Sequence, residues 1–103
     1  MVRFLVLYNK PNDVEAFEHH YHTVHIPLAK KLANLRHYKI SKNTSPIRGG
    51  EPYYRIAELE WDNMEALKKD FASPQGQETA RDMANLEMLS PGVHSMIYEL
   101  EDV

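Results

Sequence analysis

The sequence predicts an α+β protein with a ferredoxin-like fold, in which the elements follow the order β-α-β-β-α-β and the sheet is antiparallel. Residues 4–8 form a continuous apolar run, which is typical of a strand covered on both faces. Apolar residues between Val14 and Leu32 recur at steps of three and four, as they do along one face of an α-helix. Residues 53–61 alternate as a β-strand with two distinct faces does. These three patterns place strands and a helix in the order that this fold requires.

The first helix has a predicted start and a predicted irregularity. Asn12 or Asp13 can cap its first turn with a side-chain oxygen. Pro27 lies inside the helical pattern and cannot donate a hydrogen bond to the carbonyl of Thr23. We therefore expect a kink or break near Ile26, which could open space beside the neighbouring histidine.

The second half of the chain supplies the other elements. Residues 35–42 have the aromatic and β-branched content of a strand, and a turn-rich loop follows at 43–52. A second helix begins at Asp62 or Asn63. The helix restarts at "SPQG", where Ser73 is the expected N-cap and Pro74 the first helical position, and it ends at about Leu86. A last strand is expected at 93–100.

Length and composition exclude several classes of function. The chain has 103 residues, which predicts one domain spanning residues 1–103. Its net charge is −3, so it has no basic surplus for nucleic acid. It has no cysteine, which excludes disulfides and thiolate chemistry. No apolar stretch approaches the length of a membrane span, and no signal peptide is evident, so we expect a cytoplasmic protein.

The sheet face opposite the helices raises the question of a partner. In this fold both helices cover one face, and the other face is not clearly polar here. One reading is a sheet with a few exposed apolar residues. We favour a homodimer in which this face meets a second copy, because large exposed apolar patches are rare on monomers.

Four segments of the chain resemble the EthD family of the dimeric α+β barrel superfamily. They are "YNKP", "FEHHYHTVHIPLAKKL", "LRHYKISK" and "SPQGQETARDMANL". The second segment fits the family pattern F-x-x-x-Y-x-x-x-H-x-P-L, and the last matches at three further positions. The matching residues are Phe17, Tyr21, His25, Pro27, Leu28, Ser73, Pro74 and Asp82. The resemblance covers nearly the whole chain and implies a homodimer with a small apolar pocket between sheet and helices in each subunit.

The resemblance does not imply one reaction, since the fold hosts isomerases, lyases and monooxygenases and the site must decide. His25 shares the buried helix face with Tyr21, so it can serve as a general acid or base. The alternative is a structural histidine bonded to a backbone carbonyl. Tyr21 is the candidate orienting hydroxyl, or simply a core tyrosine. The expected pocket lining is Tyr8, Phe17, Leu28 and Phe71.

Other polar residues receive weaker interpretations. The remaining histidines of "HHYHTVH" are expected on the solvent side of the helix, and their spacing does not predict a metal site. Arg55 needs a partner if it is buried, with Glu58 or Glu99 as candidates, or it could bind a substrate carboxylate. Asp82 is interpreted as a helix or capping residue.

Three hypotheses for function follow. The first is a small enzyme without a cofactor that acts on an apolar cyclic or aromatic carbonyl compound by proton transfer, in catabolism or polyketide-like metabolism. His25 would be its acid–base group and Tyr21 its orienting hydroxyl. The second is a non-catalytic protein that binds a small hydrophobic ligand, or an accessory protein of ether or aromatic degradation. The third is a monooxygenase.

Overall fold

Four antiparallel strands form one sheet in the computed structural model, which describes residues 1–103. They are β1 (Val2–Tyr8), β2 (His37–Ile40), β3 (Arg55–Trp61) and β4 (His94–Glu99). Their spatial order is β2-β3-β1-β4, and every neighbouring pair is antiparallel. The predicted fold class, α+β with a ferredoxin-like arrangement, is confirmed.

The helices cover one face of this sheet. They are α1 (Val14–His20), a π-helical turn (Tyr21–His25), α2 (Ile26–Ala29), α3 (Met64–Ala72) and α4 (Pro74–Leu89). The helix starts agree with the sequence pattern: a side-chain oxygen accepts a backbone N–H within the first turn of α1, α3 and α4. The three capping residues are Asp13, Asn63 and Ser73.

The π turn replaces the kink that we expected near Ile26. The N–H of Ile26 donates to the carbonyl of Tyr21, five residues back instead of four. Pro27 then falls in the first turn of α2, where a missing N–H breaks no helical hydrogen bond. The helical segment therefore continues through the proline, with one wide turn immediately before it.

Strand register decides which side chains meet the helices. Tyr8 pairs with Arg55 and Val2 pairs with Trp61, so these residues and those at alternate positions between them share the helix-facing side. The predicted two faces of β3 are therefore as observed. The core that forms on this side includes Val2, Val6, Tyr8, Phe17, Tyr21, Ala57, Trp61, Leu67 and Leu86.

Helices α3 and α4 meet at a close backbone approach. A Cβ at Gly76 would lie 2.0 Å from the carbonyl oxygen of Asp70, so no other residue fits there without displacing backbone. Asp70 is buried, and its carboxylate accepts hydrogen bonds from Trp61 Nε1 at 2.7 Å and Asn34 Nδ2 at 2.8 Å. These contacts join the helices to β3 and to the segment after α2.

The opposite sheet face carries charged and apolar side chains together. Arg3 forms ion pairs with Glu58 and Glu60 there. Met96 is 45% exposed and pairs in register with Leu5. None of the helices is long and apolar enough to cross a membrane.

Candidate functional site

A cavity of about 340 Å³ lies between the sheet and the helices. All four strands and helices α2, α3 and α4 contribute to its walls, and the side chains are mostly apolar or aromatic. This combination is typical of a small-molecule site. The lining residues are Phe4, Val6, Tyr8, His25, Ala29, Leu32, Tyr38, Ala57, Leu59, Trp61, Phe71, Gly76, Thr79, Ala80, Met83 and Ser95.

His25 is the lining residue with acid–base chemistry near neutral pH. It is the last residue of the π turn and is 5% exposed. Its Nδ1 lies 2.9 Å from Oδ2 of Asp82. Nε2 of His25 makes no hydrogen bond within the protein. It is not among the fully buried polar atoms that lack a partner, which all belong to Arg55, so it retains some accessible surface.

Asp82 anchors this histidine from α4. It is 6% exposed, and its Oδ1 accepts from His20 Nε2 at 2.7 Å and from Asn85 Nδ2 at 3.0 Å. Burial raises the pKa of Asp82, but hydrogen bonds from Asn85, His25 and His20 outweigh burial and hold this pKa below its usual value. The carboxylate is therefore ionised at neutral pH. The sequence interpretation of Asp82 as a helix or capping residue missed this role.

Burial and the Asp82 carboxylate have opposite effects on the pKa of His25. Burial lowers the pKa of His25, and the hydrogen bond and charge of Asp82 raise it, with a net lowering. A neutral imidazole beside an ionised carboxylate donates its Nδ1 proton to that carboxylate. Its Nε2 then carries the lone pair.

His20 also reaches Asp82, contrary to the expectation that it lies on the solvent side. In a regular α-helix, residues five apart point roughly 140° away from each other. The π turn between His20 and His25 is wider, so both side chains lie on the side of α4. His19 and His22 are exposed as expected. No group of three or more His, Asp or Glu side chains is placed to hold a metal ion.

The π turn also changes the residues that face the cavity from α2. A regular helix would continue the buried stripe of Phe17 and Tyr21 to Val24 and Leu28. The π turn shifts this stripe by one residue, so that His25 and Ala29 are buried at the cavity and Val24 is exposed. Leu28 is half-buried and does not line the cavity. This corrects the predicted lining.

Phe17 and Tyr21 do not line the cavity either, because they are packed behind it. Phe17 stacks on Tyr21 with ring centroids 5.5 Å apart, and Tyr8 meets both rings edge-on. Tyr21 nevertheless reaches the site indirectly. Its hydroxyl lies 2.8 Å from the hydroxyl of Tyr38, which does line the cavity.

Tyr8 and Phe71 do line the cavity as predicted, and Tyr38 joins them. The Tyr8 hydroxyl lies 3.6 Å from Sδ of Met83. Burial raises the pKa of Tyr8 and Tyr38 well above the usual range of a phenol, so both are neutral at pH 7. Sequence reasoning missed Tyr38 because it used the segment "LRHYKISK" only as evidence for the second strand and assigned no site residue within it.

Phe71 packs edge-to-face against Phe4 at 5.3 Å and against Trp61 at 5.7 Å. It is 39% exposed, so it stands where the cavity meets the surface. The aromatic wall that these three rings form is suited to a flat apolar ligand.

Arg55 is held by a partner that the sequence did not suggest. Its Nη2 donates to Glu18 at 2.7 Å, whereas Glu58 lies on the other sheet face. The guanidinium lies 4.7 Å from the ring centroid of Tyr21, and its remaining nitrogens are buried against aromatic rings. Arg55 therefore supports the aromatic core and does not line the cavity.

Two solved structures of low identity share the fold. A dimeric protein with a ferredoxin-like fold from Bacteroides fragilis is 19% identical with a TM-score of 0.64, covering 96% of this chain and 95% of that one. SnoaB, a cofactor-independent oxygenase from Streptomyces nogalater, is 15% identical with a TM-score of 0.68, covering 99% and 94%.

Closer likenesses identify the family. A curated relative, an uncharacterised 11.0 kDa protein of the thcB–thcC intergenic region in Rhodococcus erythropolis, is 34% identical over 104 residues, covering 100% of this chain and 98% of the relative. A solved EthD family protein from Bacillus halodurans is 28% identical with a TM-score of 0.84, covering 98% of this chain and 99% of that one. The model of the EthD domain matches residues 9–87. The chain belongs to the EthD family.

Proposed function

We propose that this protein catalyses proton transfer on a neutral cyclic or aromatic carbonyl compound, as an isomerase or lyase, with His25 as the general base. One observation carries the proposal. His25 lines an apolar cavity and is bonded through Nδ1 to the buried carboxylate of Asp82, while its Nε2 makes no hydrogen bond within the protein. A neutral imidazole held in this way can accept a proton from a carbon next to a carbonyl group.

Asp82 has two roles in this reaction. It accepts the Nδ1–H of His25, which keeps the lone pair on Nε2. When His25 takes a proton, the nearby negative charge stabilises the imidazolium. Burial opposes this charged form, so the base remains neutral until substrate supplies the proton.

Tyr38 is the better candidate for the substrate oxygen than Tyr21. The Tyr38 hydroxyl belongs to a residue that lines the cavity, and it lies 2.8 Å from the buried Tyr21 hydroxyl. Either hydroxyl can donate in this pair, and when Tyr21 is the donor the Tyr38 proton is free for a carbonyl oxygen at the cavity. A donor at that oxygen stabilises the negative charge that develops when a neighbouring carbon loses its proton. Tyr21 then acts as the positioning residue.

The lining also defines the substrate class. It contains no lysine, arginine, aspartate or glutamate, so an anionic or cationic ligand would lose its hydration without a compensating charge. Aromatic side chains form much of the wall, including Phe4, Trp61 and Phe71. A neutral flat molecule of one or two rings suits a volume of about 340 Å³.

A second candidate function is binding without catalysis, as a carrier or accessory protein. The same apolar cavity favours it, because ligand binding needs only the walls and not the His25–Asp82 pair. An oxygenase reaction is the third candidate, and the shared fold of SnoaB supports it. In that reaction His25 would still deprotonate the substrate, and oxygen uptake would accompany turnover.

We also propose a homodimer joined through the open sheet face. The dimeric relative of the same fold and the exposed Met96 on this face support it. Native mass spectrometry of protein purified without added metal would show the mass of a dimer, together with the mass of any small molecule that stays in the cavity.

The experiment for the proposed reaction follows hydrogen–deuterium exchange in D2O by NMR, using a panel of neutral aromatic ketones with an exchangeable carbon next to the carbonyl. Wild-type protein should accelerate exchange for at least one of them. The variant His25→Gln should slow that exchange by roughly 10²–10⁴-fold.

The matched control is His19→Gln, which changes an exposed histidine of the same helix and should leave exchange unchanged. Circular dichroism checks that both variants are folded. Equal exchange rates in wild type and His25→Gln would eliminate His25 as the base. Ligand binding with no exchange at all would favour the carrier function.

A further inference from the structure

His20 is the part of this cluster that the proposed reaction does not use. It lies at the end of α1, its side chain is 24% exposed, and its Nε2 is 2.7 Å from Oδ1 of Asp82. The other oxygen of the same carboxylate bonds His25. One buried carboxylate thus joins a histidine that solvent can reach to a histidine at the cavity.

We propose that His20 is a positioning residue for His25, acting through the carboxylate that the two histidines share. The inference rests on the proposed role of His25 as the base. His20 occupies Oδ1 of Asp82, so that Oδ2 is the oxygen left for Nδ1 of His25. This arrangement fixes the orientation and the tautomer of the His25 ring.

The geometry that brings the histidines together supports a specific role for this pair. In a regular helix the side chains of His20 and His25 would point in different directions around the axis. The π turn between them brings both side chains to the same side. Single π turns inside α-helices are found frequently at functional sites. Asn85 completes the set of donors to Oδ1, so the carboxylate is held on both oxygens.

His20 also affects the basicity of His25. A proton on His20 is a like charge near His25 and lowers the pKa of His25. The other ionisable groups that face the three residues are Tyr21, whose ring centroid lies 5.6 Å from that of His25, and Tyr8 of β1, whose pKa is raised in part by the charge of Asp82. Both phenols are neutral at pH 7, because burial raises their pKa.

The test measures the His25 imidazole directly and needs no substrate. Protein labelled with ¹⁵N in its histidines is titrated by NMR, and the chemical shifts of Nδ1 and Nε2 give the tautomer and the titration midpoint of His25. Wild-type protein should show the tautomer with the proton on Nδ1. The variant His20→Gln retains an N–H donor without a titratable charge, and it should keep this tautomer while raising the midpoint by about 0.5 to 1 pH unit.

The variant His20→Ala removes the donor as well and should give a mixture of tautomers. His19→Gln is the control and should change neither quantity. If His20→Gln leaves the midpoint of His25 at the wild-type value, or if wild-type His25 carries its proton on Nε2, the inference is wrong. An unchanged midpoint in His20→Gln overturns the inference and leaves the proposed base standing, and absence of turnover with a shifted midpoint does the reverse. A wild-type proton on Nε2 overturns both, because the proposed base needs its lone pair on that nitrogen.

Discussion

Two opposing effects set the chemical character of the His25 side chain. Burial disfavours the imidazolium, and the Asp82 carboxylate favours it. The net result is a neutral ring at physiological pH whose proton lies on the nitrogen facing the carboxylate. A base of this kind is ready to accept a proton and is stabilised once it has done so.

This balance predicts how stability changes with pH. The folded protein holds the pKa of His25 below its ordinary value of 6.5, so the unfolded chain binds more protons between these two pKa values. The contribution of His25 to the free energy of unfolding is therefore fully present above pH 6.5, and it is lost as the pH falls from 6.5 through the folded-state pKa. The contribution of Asp82 to stability is lost at more acidic pH, below the ordinary carboxyl pKa of 3.8.

Urea unfolding at pH 7.5 and pH 5.5 measures this effect. We expect the wild-type midpoint to fall at the lower pH, and we expect the fall to be smaller in His25→Gln because that residue no longer titrates. His19→Gln should behave as wild type. An equal fall in wild type and His25→Gln would assign the pH dependence to other groups.

The residues of the site differ in how far the sequence reveals them. His25 was predicted because it lies on the apolar face of one helix, within a local pattern. Its partner Asp82 is 57 residues away, and only the packing of α4 against the π turn brings the two together. A single sequence holds no information on such a pair beyond the types of the two residues.

At the scale of elements, the π turn is the feature that sequence periodicity could not supply. The helix and its cap, given as Asn12 or Asp13, were predicted correctly. Phe17, Tyr21 and His25 of the predicted face are buried, whereas Val14 and Val24 are exposed. The predicted buried stripe after Tyr21 was wrong by one residue, since Ala29 faces the cavity where Leu28 was expected. Pro27 signalled an irregularity, but a missing N–H does not specify whether a helix kinks, ends or widens.

The junction of α3 and α4 gives a prediction at the same scale. Alanine at position 76 would place a Cβ 2.0 Å from the carbonyl oxygen of Asp70 and 2.8 Å from that of Phe71. These are backbone atoms, so the helices would have to move apart. Alanine favours a helix over glycine by about 1 kcal/mol, but overpacking of this kind costs about 1–3 kcal/mol or more.

We therefore expect Gly76→Ala to lower the free energy of unfolding by about 2 kcal/mol, measured by urea denaturation. Gly76 also lines the cavity, so ligand affinity should fall as well. The control is Gln75→Ala, an exposed position in the same turn, with an expected change within about 0.5 kcal/mol. A Gly76→Ala protein as stable as wild type would mean that the helices separate easily.

At the scale of the whole molecule, the two faces of the sheet have different environments. One face is closed by the helices and contains the core and the cavity. The other face has an apolar patch that consists of Leu5, Leu7, Ile56 and Met96. The register makes this patch continuous, because Leu5 pairs with Met96 and Leu7 pairs with Ile56.

Alternation along β3 predicted its two faces, since it depends only on the period of two residues, whereas β1 was predicted as a continuous apolar run. What covers the open face depends on a second molecule, which the sequence of one chain does not describe. The ion pairs of Arg3 with Glu58 and Glu60 border the apolar patch. A patch with a polar border is the usual anatomy of a protein–protein interface.

The proposed dimer predicts the effect of one charge on this patch. Met96→Glu places a carboxylate beside Leu5, and two such charges would be buried without partners in a symmetric interface. We expect the variant to be a folded monomer in multi-angle light scattering under conditions in which wild type is a dimer. Met88→Glu is the control, because Met88 is 78% exposed on α4, away from the sheet, and its variant should stay dimeric. A wild-type monomer, or a Met96→Glu dimer as tight as wild type, would show that the open face is not where two copies meet.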